Sequence, residues 1–417
     1  MRAAISRYGA RVLPETEDIV ARLKARGEFI QGPEIAQFEA AFARRAGAGE
    51  AVSASYGRMA FYYLLKALNL PAGSEIILPT LTFWVVPALA KVAGLKVVFA
   101  DVDPATFTLD PAALERAITP ATRAIVPTHL YGLPCDMDAI MAIARKHDLR
   151  VIEDCAHTLG ATYKGRAVGT IGDAGFFSFQ TLKPLNCYGG GMALVANPAV
   201  ASRVRAQAER ERWPDQKRIE NRLLVGRAQR ILIKPWVFTI SAFPILWVSS
   251  LIGANPDVYL WEEIRELDPL PDVYTERFPN VQAAIGIAAL EQLDDWTART
   301  QRHARVMDQA LDGLPGITVP KAPPDRTHVY YQYCVYGPQR DALVVKCVRR
   351  GVDIETLHVD VCSDLELFAG ATVEPAGAPG AHRAAQAMQI PVYSSLTDEQ
   401  TARVARVVRG VLAPATA

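Results

Sequence analysis

The sequence has little of what marks a secreted or metal-binding protein. Its 417 residues contain only six cysteines, which are scattered without a CxxC pair or a spacing typical of metal sites. The N-terminus has no recognisable signal peptide. We therefore expect free cysteines in a reducing cytoplasm and no bound metal ion.

An excess of charge of either sign is also missing. Charged residues make up 21% of the chain, and the formal net charge is only +1. Because nucleic acids attract strongly basic proteins, we expect no nucleic-acid partner and instead a small or weakly charged one. The hydrophobic content of 50% is that of a globular protein, and the chain length predicts one large and one smaller domain.

A hydrophobic run long enough to cross a membrane is absent as well. The most apolar stretch, residues 229–253, is interrupted by Pro235 and Pro244, whereas a spanning helix needs about 20 predominantly apolar residues. One interpretation is a helical hairpin that is buried or covered in a dimer. The alternative is peripheral contact with the inner membrane surface, because the stretch also contains Trp236 and Trp247. The basic residues that support this alternative are Arg222, Arg227, Arg230 and Lys234.

Apolar strands alternate with helices through the first half of the chain. Residues 74–103 read as strand, turn, helix and strand, and residues 123–157 repeat the pattern. Such helical crossovers are typical of a parallel α/β sheet, in which ligand-binding groups collect at the carboxyl ends of the strands. Asp154 and His157 follow one such strand, and the turn with Phe83 follows another. We therefore expect the active site at this edge of the sheet.

Two further features indicate cofactor chemistry at this edge. Gly57 precedes a predicted helix whose first N–H groups and positive dipole end favour a phosphate, and Arg58 would add a cation there. The alternative for Arg58 is an ordinary exposed arginine. Lys183 follows an apolar segment, where burial lowers the pKa of an amine and prepares it to form an imine. Asp154 is placed to keep a pyridinium nitrogen protonated.

The second half of the chain predicts a separate, smaller unit. A long helix over residues 273–310 connects the large domain to a compact unit of strands and helices. In this unit we expect a strand over residues 328–337 and a last helix with Thr397 as its N-cap. Residues 370–382 are expected to form a flexible loop because they are rich in glycine and proline. We place the large domain at residues 1–290 and the small C-terminal α/β domain at residues 291–417.

Five segments together resemble one known family. They are GPEIAQFEAAFARRAG (residues 32–47), THLYGLPCDMD (128–138), the long stretch from Ile152 to Leu185, QAAIGIAALEQLD (282–294) and IPVYSSLTDEQTARV (390–404). In this order they resemble the DegT/DnrJ/EryC1/StrS family of pyridoxal-phosphate aminotransferases. The resemblance implies the aspartate aminotransferase-like fold (fold type I) and a homodimer with active sites at the subunit interface. The stretch at about 208–272 has no counterpart, and we interpret it as an apolar insertion in the large domain.

The family's residues around the cofactor ring have counterparts in this chain. By the resemblance, Lys183 forms the internal aldimine with pyridoxal 5'-phosphate, and Asp154 binds the pyridine nitrogen. His157 stands at the position beside the ring hydroxyl, and Phe83 at that of the aromatic residue that stacks on the ring. Taken singly, Phe83 reads as a core residue and His157 as a turn residue, but the shared order favours the cofactor roles.

The phosphate end matches the family less closely. Ser178 matches a phosphate ligand and Gly57 the helix start, although Ser178 taken alone reads as an ordinary strand hydroxyl. Arg58 replaces the family's threonine, so that a guanidinium takes the place of a hydroxyl. Arg277 is what remains of a motif that reaches across the dimer, and it is a candidate for binding the neighbouring subunit's phosphate.

Three residues are candidates for contact with the substrate. Tyr188 lies in a glycine-rich turn from which the family's acidic residue is missing. Tyr331 stands near the position of a family histidine in the small domain, and His358 occupies a position at the substrate entrance. The turn at Tyr188 is where we expect this chain to differ from an ordinary sugar aminotransferase.

The resemblance implies a transfer of an amino group from glutamate or glutamine to a keto-sugar, in the first instance one linked to a nucleotide. One alternative is a membrane-associated aminotransferase with a lipid-linked or other non-nucleotide acceptor. Another is a homologue that binds the cofactor without catalysis. A sugar dehydratase of the same superfamily is disfavoured, because those enzymes have a histidine at the position of Lys183.

Overall fold

The computed structural model describes residues 3–9, 11, 13–47, 49–252, 263–356 and 359–412. Its α-helices are α1 (Thr16–Ala25), α2 (Glu34–Ala46), α3 (Gly57–Leu68), α4 (Val85–Val92), α5 (Pro111–Ala117), α6 (Met137–Lys146), α7 (Pro198–Arg210), α8 (Gln216–Leu232), α9 (Pro235–Ile240), α10 (Phe243–Ile252), α11 (Asn280–Leu311), α12 (Arg340–Arg349), α13 (Pro379–Ala384) and α14 (Asp398–Leu412). Its strands are β1 (Glu50–Ala54), β2 (Glu75–Pro79), β3 (Leu81–Thr82), β4 (Lys96–Ala100), β5 (Val102–Asp103), β6 (Thr108–Leu109), β7 (Thr122–Ile125), β8 (Arg150–Asp154), β9 (Thr162–Tyr163), β10 (Arg166–Ala167), β11 (Ala174–Ser178), β12 (Gly191–Val195), β13 (Tyr333–Val335), β14 (Asp360–Val361), β15 (Thr372–Val373) and β16 (Met388–Ile390).

The central sheet has eight strands in the order β1-β12-β11-β8-β7-β2-β4-β15. The pairs from β11 to β15 are parallel, and only β12 runs antiparallel to both of its neighbours. Because helices connect the parallel strands, their carboxyl ends meet at one edge. The expected α/β fold with a mostly parallel central sheet is therefore confirmed.

Helices cover both faces of this sheet. Ile76 and Leu78 of β2 pack in one cluster with residues of α3 and α4, whereas Ile77 packs in a second cluster with residues of α5 and α6. This division follows from the alternation of side chains along a strand, which directs successive residues to opposite faces. The result is a three-layer core with the strand ends exposed only at the edges. All six cysteines are buried as free thiols.

The long helix α11 leads from the sheet to the C-terminal elements. It begins at Asn280, directly after Pro279, and not at the earlier residues that the sequence suggested. The C-terminal core combines Met307 of α11 with the β13–β16 pair and α14, and Ile5 from the N-terminus joins it. The N-cap of α14 is confirmed, because the Gln400 N–H donates to Thr397 Oγ1 at 3.1 Å while the Thr397 N–H donates to Gln400 Oε1 at 2.9 Å.

Some sequence expectations for the C-terminal part are wrong. The strand expected over residues 328–337 is reduced to β13, because Tyr330 adopts a left-handed backbone with φ of 49° and turns the chain. Residues 370–382, expected as a loop, contain β15 and the start of α13, because β15 pairs with β4 at the sheet edge. The domain division after residue 290 stays a prediction, and it falls within α11.

The stretch expected to lack a family counterpart, about 208–272, contains α8, α9 and α10 in its described part. Among the residues that the structure describes, no helix is long and apolar enough to cross a membrane. The two prolines act as the sequence predicts, since Pro235 begins α9 and a break at 241–242 separates it from α10. Much of this segment is exposed, so the expectation of a buried hairpin does not hold for the single chain.

Candidate active site

The carboxyl ends of β8 and β11 and the start of α3 surround one cavity of about 380 Å³. Its size lies within the range of about 300–1,000 Å³ that is usual for small-molecule sites. Eight of the eleven residues singled out from the sequence line it: Gly57, Arg58, Phe83, Asp154, His157, Ser178, Lys183 and Tyr331. The parallel sheet and the C-terminal elements packed on it therefore bring together groups that lie up to 274 positions apart in the chain.

Lys183 places its amine inside this cavity. Its Nζ lies 2.7 Å from Nε2 of His157 and donates a longer hydrogen bond of 3.4 Å to the hydroxyl of Tyr331. Burial lowers the pKa of this amine to about 8, and the cationic Arg58 acts in the same direction, while Asp154 opposes the shift. A lysine in this state has a substantial neutral fraction at neutral pH, as a nucleophilic or proton-transferring amine requires.

Asp154 is the buried carboxyl of the site. It ends β8 with 4% of its surface exposed, and its Oδ1 accepts a hydrogen bond of 3.0 Å from the Ala156 N–H. Burial raises the pKa of this carboxyl to about 6, although the hydrogen bond and the charge of Lys183 act against the shift. A carboxylate in so apolar a place gains most from a cationic partner inside the cavity.

Two rings form a wall beside the amine. His157 and Tyr331 stack with their centroids 4.1 Å apart and their planes 21° apart. Burial raises the pKa of the Tyr331 hydroxyl well above its usual range, so this phenol stays protonated and can donate a hydrogen bond. Tyr331 comes from a turn before β13, so its position here depends on how the C-terminal elements pack on the sheet.

The start of α3 forms the opposite end of the cavity. A side chain at Gly57 would place its Cβ 2.8 Å from the carbonyl oxygen of Phe177 and 2.9 Å from Cβ of Ser178, so glycine is required by close backbone packing. The Arg58 guanidinium lies 5.4 Å from the ring centroid of Phe83 and donates a hydrogen bond to the hydroxyl of Tyr274. The helix start, the Ser178 hydroxyl and this cation together favour an anion such as phosphate.

Helix α8 adds groups that the sequence patterns did not indicate. Gln229 lines the cavity, and Arg222 donates a hydrogen bond of 2.5 Å to the hydroxyl of Tyr56 while lying 5.0 Å from the centre of its ring. These residues were missed because none of the five family-like segments includes α8. The available signal was the basic character of α8, which supported only the alternative of membrane contact.

Three of the residues singled out are not brought to this cavity. Arg277 stacks on Trp213 at 4.0 Å and lines a different cavity. Tyr188 is buried against α8, where its ring faces Gly226 and its hydroxyl accepts a hydrogen bond from Arg230. His358 lies outside the described residues. Their proposed roles therefore stay predictions.

A buried polar network supports the strand that carries Asp154. Glu153 accepts hydrogen bonds from three backbone N–H groups of the turn at residues 169–172 and lies 3.0 Å from Nε2 of His129. Cys155 is close to this pair, so the three side chains resemble a metal-ligand set. Because the other ring nitrogen of His129 accepts from the Cys135 N–H, the arrangement works as a hydrogen-bonded support for β8.

The cavity residues fit pyridoxal phosphate in the chemistry they offer. An amine with a lowered pKa, a buried carboxyl and a flat aromatic residue surround one part of the cavity. A helix start with a hydroxyl and a guanidinium lies at the other. These are the groups needed for an aldehyde carbon, a protonated ring nitrogen, a ring face and a phosphate.

The lowered pKa of Lys183 can be measured on the protein without cofactor. We expect its labelling by a small amine-reactive anhydride, followed by peptide mass spectrometry, to rise with pH around a midpoint near 8, because only the neutral amine reacts. In an Asp154→Asn variant the midpoint should fall further, because the carboxylate that favours the charged amine is gone. A wild-type midpoint near 10.5, the ordinary value for lysine, would contradict the assignment.

Most of the chain is similar in sequence to known aminotransferases. The model of the DegT/DnrJ/EryC1/StrS aminotransferase family matches residues 13–231 and 265–409. The expectation that about 208–272 has no counterpart is therefore wrong at both ends, because only residues 232–264 of it are unmatched and α8, up to Ile231, belongs to the matched part. A dTDP-3-amino-3,4,6-trideoxy-alpha-D-glucose transaminase from Streptomyces venezuelae is 31% identical over 95% of this chain and 91% of its own. A UDP-N-acetyl-3-dehydro-alpha-D-glucosamine 3-aminotransferase from Acidithiobacillus ferrooxidans is 29% identical over 94% of this chain and 92% of its own.

Solved structures agree with the fold. The structure of DesV from S. venezuelae, in complex with a ketimine intermediate, has a TM-score of 0.75 at 29% identity and covers 95% of this chain and 94% of its own. That of AtS13 from Actinomadura melliaura has a TM-score of 0.77 at 27% identity and covers 98% of this chain and 99% of its own. The expected fold type I architecture is therefore confirmed.

Proposed function

Because the chain belongs to the DegT/DnrJ/EryC1/StrS aminotransferase family, we propose that it transfers an amino group to the keto carbon of a nucleotide-linked sugar, with pyridoxal phosphate as cofactor. The family resemblance and the aminotransferase activity expected from the motifs are thereby confirmed. The observation that carries the proposal is the position of the Lys183 amine, 2.7 Å from His157 in the cavity that Asp154 also lines.

Pyridoxal phosphate, when bound, supplies an electron sink that stabilises negative charge at the substrate carbon from which a proton leaves. Asp154 would keep the ring nitrogen protonated, because a buried carboxylate is stabilised by an adjacent cation. Gly57, Ser178 and Arg58 would bind the phosphate, and Phe83 would lie against the ring.

Lys183 would hold the reactive end of the cofactor and move the proton. Its Nζ takes up or releases a proton near neutral pH, because burial lowers its pKa to about 8. His157 lies within hydrogen-bond distance of this nitrogen, and Tyr331 offers a protonated hydroxyl at 3.4 Å. These two residues would orient the amine between the cofactor and the substrate.

The proposed acceptor is based on the names of the similar proteins. The names of two of them specify sugars linked to dTDP and UDP, so a nucleotide-linked keto-sugar is the simplest acceptor here. Glutamate or glutamine is the proposed amino donor in a cytoplasmic enzyme. We also propose a homodimer in which Arg277 reaches the neighbouring site, and this is supported by its place in a cavity other than that of Lys183 in its own chain.

The acceptor can be identified by a screen with the protein in its amine form. The protein is loaded with pyridoxamine phosphate and mixed with keto-sugars in nucleotide-linked, free and lipid-linked form. We expect nucleotide-linked acceptors to restore the absorbance of the aldehyde form and to yield an amino-sugar detectable by mass spectrometry. Reaction with none of them would overturn the proposed substrate class, and failure with every donor and acceptor would favour the non-catalytic alternative.

A lipid-linked acceptor is the second candidate, because of one observation. Gln229 of α8 lines the cavity, and the same helix continues directly to the exposed apolar helices α9 and α10. A substrate held at a membrane surface would therefore approach the site from this side. Selective reaction with the lipid-linked keto-sugars in the screen would support this candidate.

A further inference from the structure

Most of the exposed large hydrophobic residues in the described part of the chain lie on α8, α9 and α10. We call α9 and α10 together the apolar hairpin (residues 235–252). Large hydrophobic side chains on a monomer surface rarely occur in such a group unless something covers them. Six large hydrophobic residues of the apolar hairpin are between 42% and 78% exposed. The members are Trp236 (63%), Ile240 (78%), Ile245 (66%), Trp247 (42%), Val248 (52%) and Leu251 (50%).

The apolar hairpin is firmly attached to the protein on its other side. Phe238 is buried, and Thr239 Oγ1 accepts a hydrogen bond of 2.6 Å from the Ala4 N–H. At the far end, Ser250 is buried and its carbonyl oxygen accepts from the Arg349 guanidinium of α12 at 3.2 Å. The exposed face therefore belongs to a docked element with an inner and an outer side.

The position of this segment in the chain separates it from the features that the family shares. The family match stops at residue 231 and resumes at residue 265, so the apolar hairpin lies wholly within the unmatched part. An interface common to the family would be expected within the matched residues. The surface of the apolar hairpin is therefore one that the family model does not cover.

The charges around the apolar hairpin are basic. Residues 229–252 contain no aspartate or glutamate, and Lys234 at the start of α9 is exposed. Arg230 and Arg227 lie about one and two helical turns before it and, with Lys234, line a cleft of about 500 Å³ at the hairpin base. Arg227 is paired with Glu17 at 2.8 Å, which leaves a net positive charge at this cleft.

We propose that the apolar hairpin docks on the surface of an anionic lipid bilayer. Apolar side chains with tryptophan on one face and cations at the rim are what a helix in the plane of a membrane interface requires. The ten residues of α10 are too few to cross a bilayer, which needs about 20, so the contact is confined to one leaflet. This inference does not depend on the identity of the amino acceptor.

Co-sedimentation with vesicles tests the proposal on the full chain. We expect binding to vesicles of equal parts phosphatidylcholine and phosphatidylglycerol, weaker binding to phosphatidylcholine alone, and weakening by salt. A Trp236→Ala/Trp247→Ala variant should bind the anionic vesicles at least about tenfold more weakly than the wild type, because it removes two large apolar side chains from the interface. A Lys234→Gln variant should lose about fivefold on the anionic vesicles and little on the neutral ones.

The matched control removes exposed apolar side chains elsewhere. Val273 and Val306 are 38% and 37% exposed and lie outside the apolar hairpin, so Val273→Ala/Val306→Ala should bind like the wild type. Circular dichroism confirms that each variant is folded.

Equal vesicle binding by the wild type and the double tryptophan variant overturns the proposal. The proposal is also overturned if the wild type binds neither kind of vesicle but self-associates in sedimentation velocity, and the tryptophan variant does not self-associate. That result would assign the surface to a second copy of the chain.

Discussion

Replacing Lys183 with alanine is expected to abolish amino transfer. The amine is the one group of the cavity that can both hold the cofactor's reactive carbon and move a proton near neutral pH. Losing a general acid–base group costs about 10²–10⁴-fold, and losing the covalent attachment as well should bring the loss to at least about 10⁴-fold. Single-turnover absorbance with glutamate as donor measures it.

Two further variants make this result specific. Lys183→Arg keeps the positive charge but removes an amine that can be deprotonated, so it should be as inactive as the alanine variant. Lys146→Ala is the matched control, because Lys146 is exposed and paired with Glu115 away from the cavity. Retention of more than about a tenth of the wild-type rate by Lys183→Ala would show that another group does the proton transfer.

Replacing Asp154 with asparagine is expected to reduce the rate by about 10²–10³-fold, the range found when one preorganised electrostatic contact to a reacting group is removed. Asparagine has nearly the same shape but no charge, so the ring nitrogen would lose the group that keeps it protonated. Because the loss concerns the chemical step, kcat should fall more than the affinity for the donor changes. Steady-state kinetics with a saturating cofactor concentration measures both.

Asp173→Asn provides the control for this effect. Asp173 precedes β11, accepts a hydrogen bond of 2.8 Å from the Val151 N–H and pairs with Arg150, at the other end of the strands from Asp154. Its loss should change stability more than kcat. If the two variants lost the same activity, the role of Asp154 would be structural and the assignment to the ring nitrogen would be wrong.

The sequence was most informative where local rules act. The N-cap of α14 at Thr397 and the helix start at Gly57 were predicted from the local sequence, and the structure shows the capping hydrogen bonds and a helix that begins at Gly57. The order of strands and helices predicted a parallel sheet and placed Asp154 and Lys183 at its carboxyl edge. The family resemblance then named roles for these residues, which the proposed variants will test.

Only the tertiary structure decided which distant groups meet. Tyr331 reaches His157 because a left-handed turn at Tyr330 ends the expected strand. The alternation of residues along the sequence does not reveal such a turn. Tyr188 is directed into α8 by its own positive φ of 60°, away from the cavity in which we expected it.

For the apolar hairpin, too, some properties follow from the sequence and others only from the tertiary structure. Its apolar composition, its two prolines and its basic flank are properties of the sequence alone. Which of its side chains face inward depends on the surfaces against which α9 and α10 pack, and these are formed by the N-terminus and by α12, far away in the chain. Burial is a property of the assembled core, so the sequence determined the chemistry of this segment and the fold determined that its tryptophans face outward.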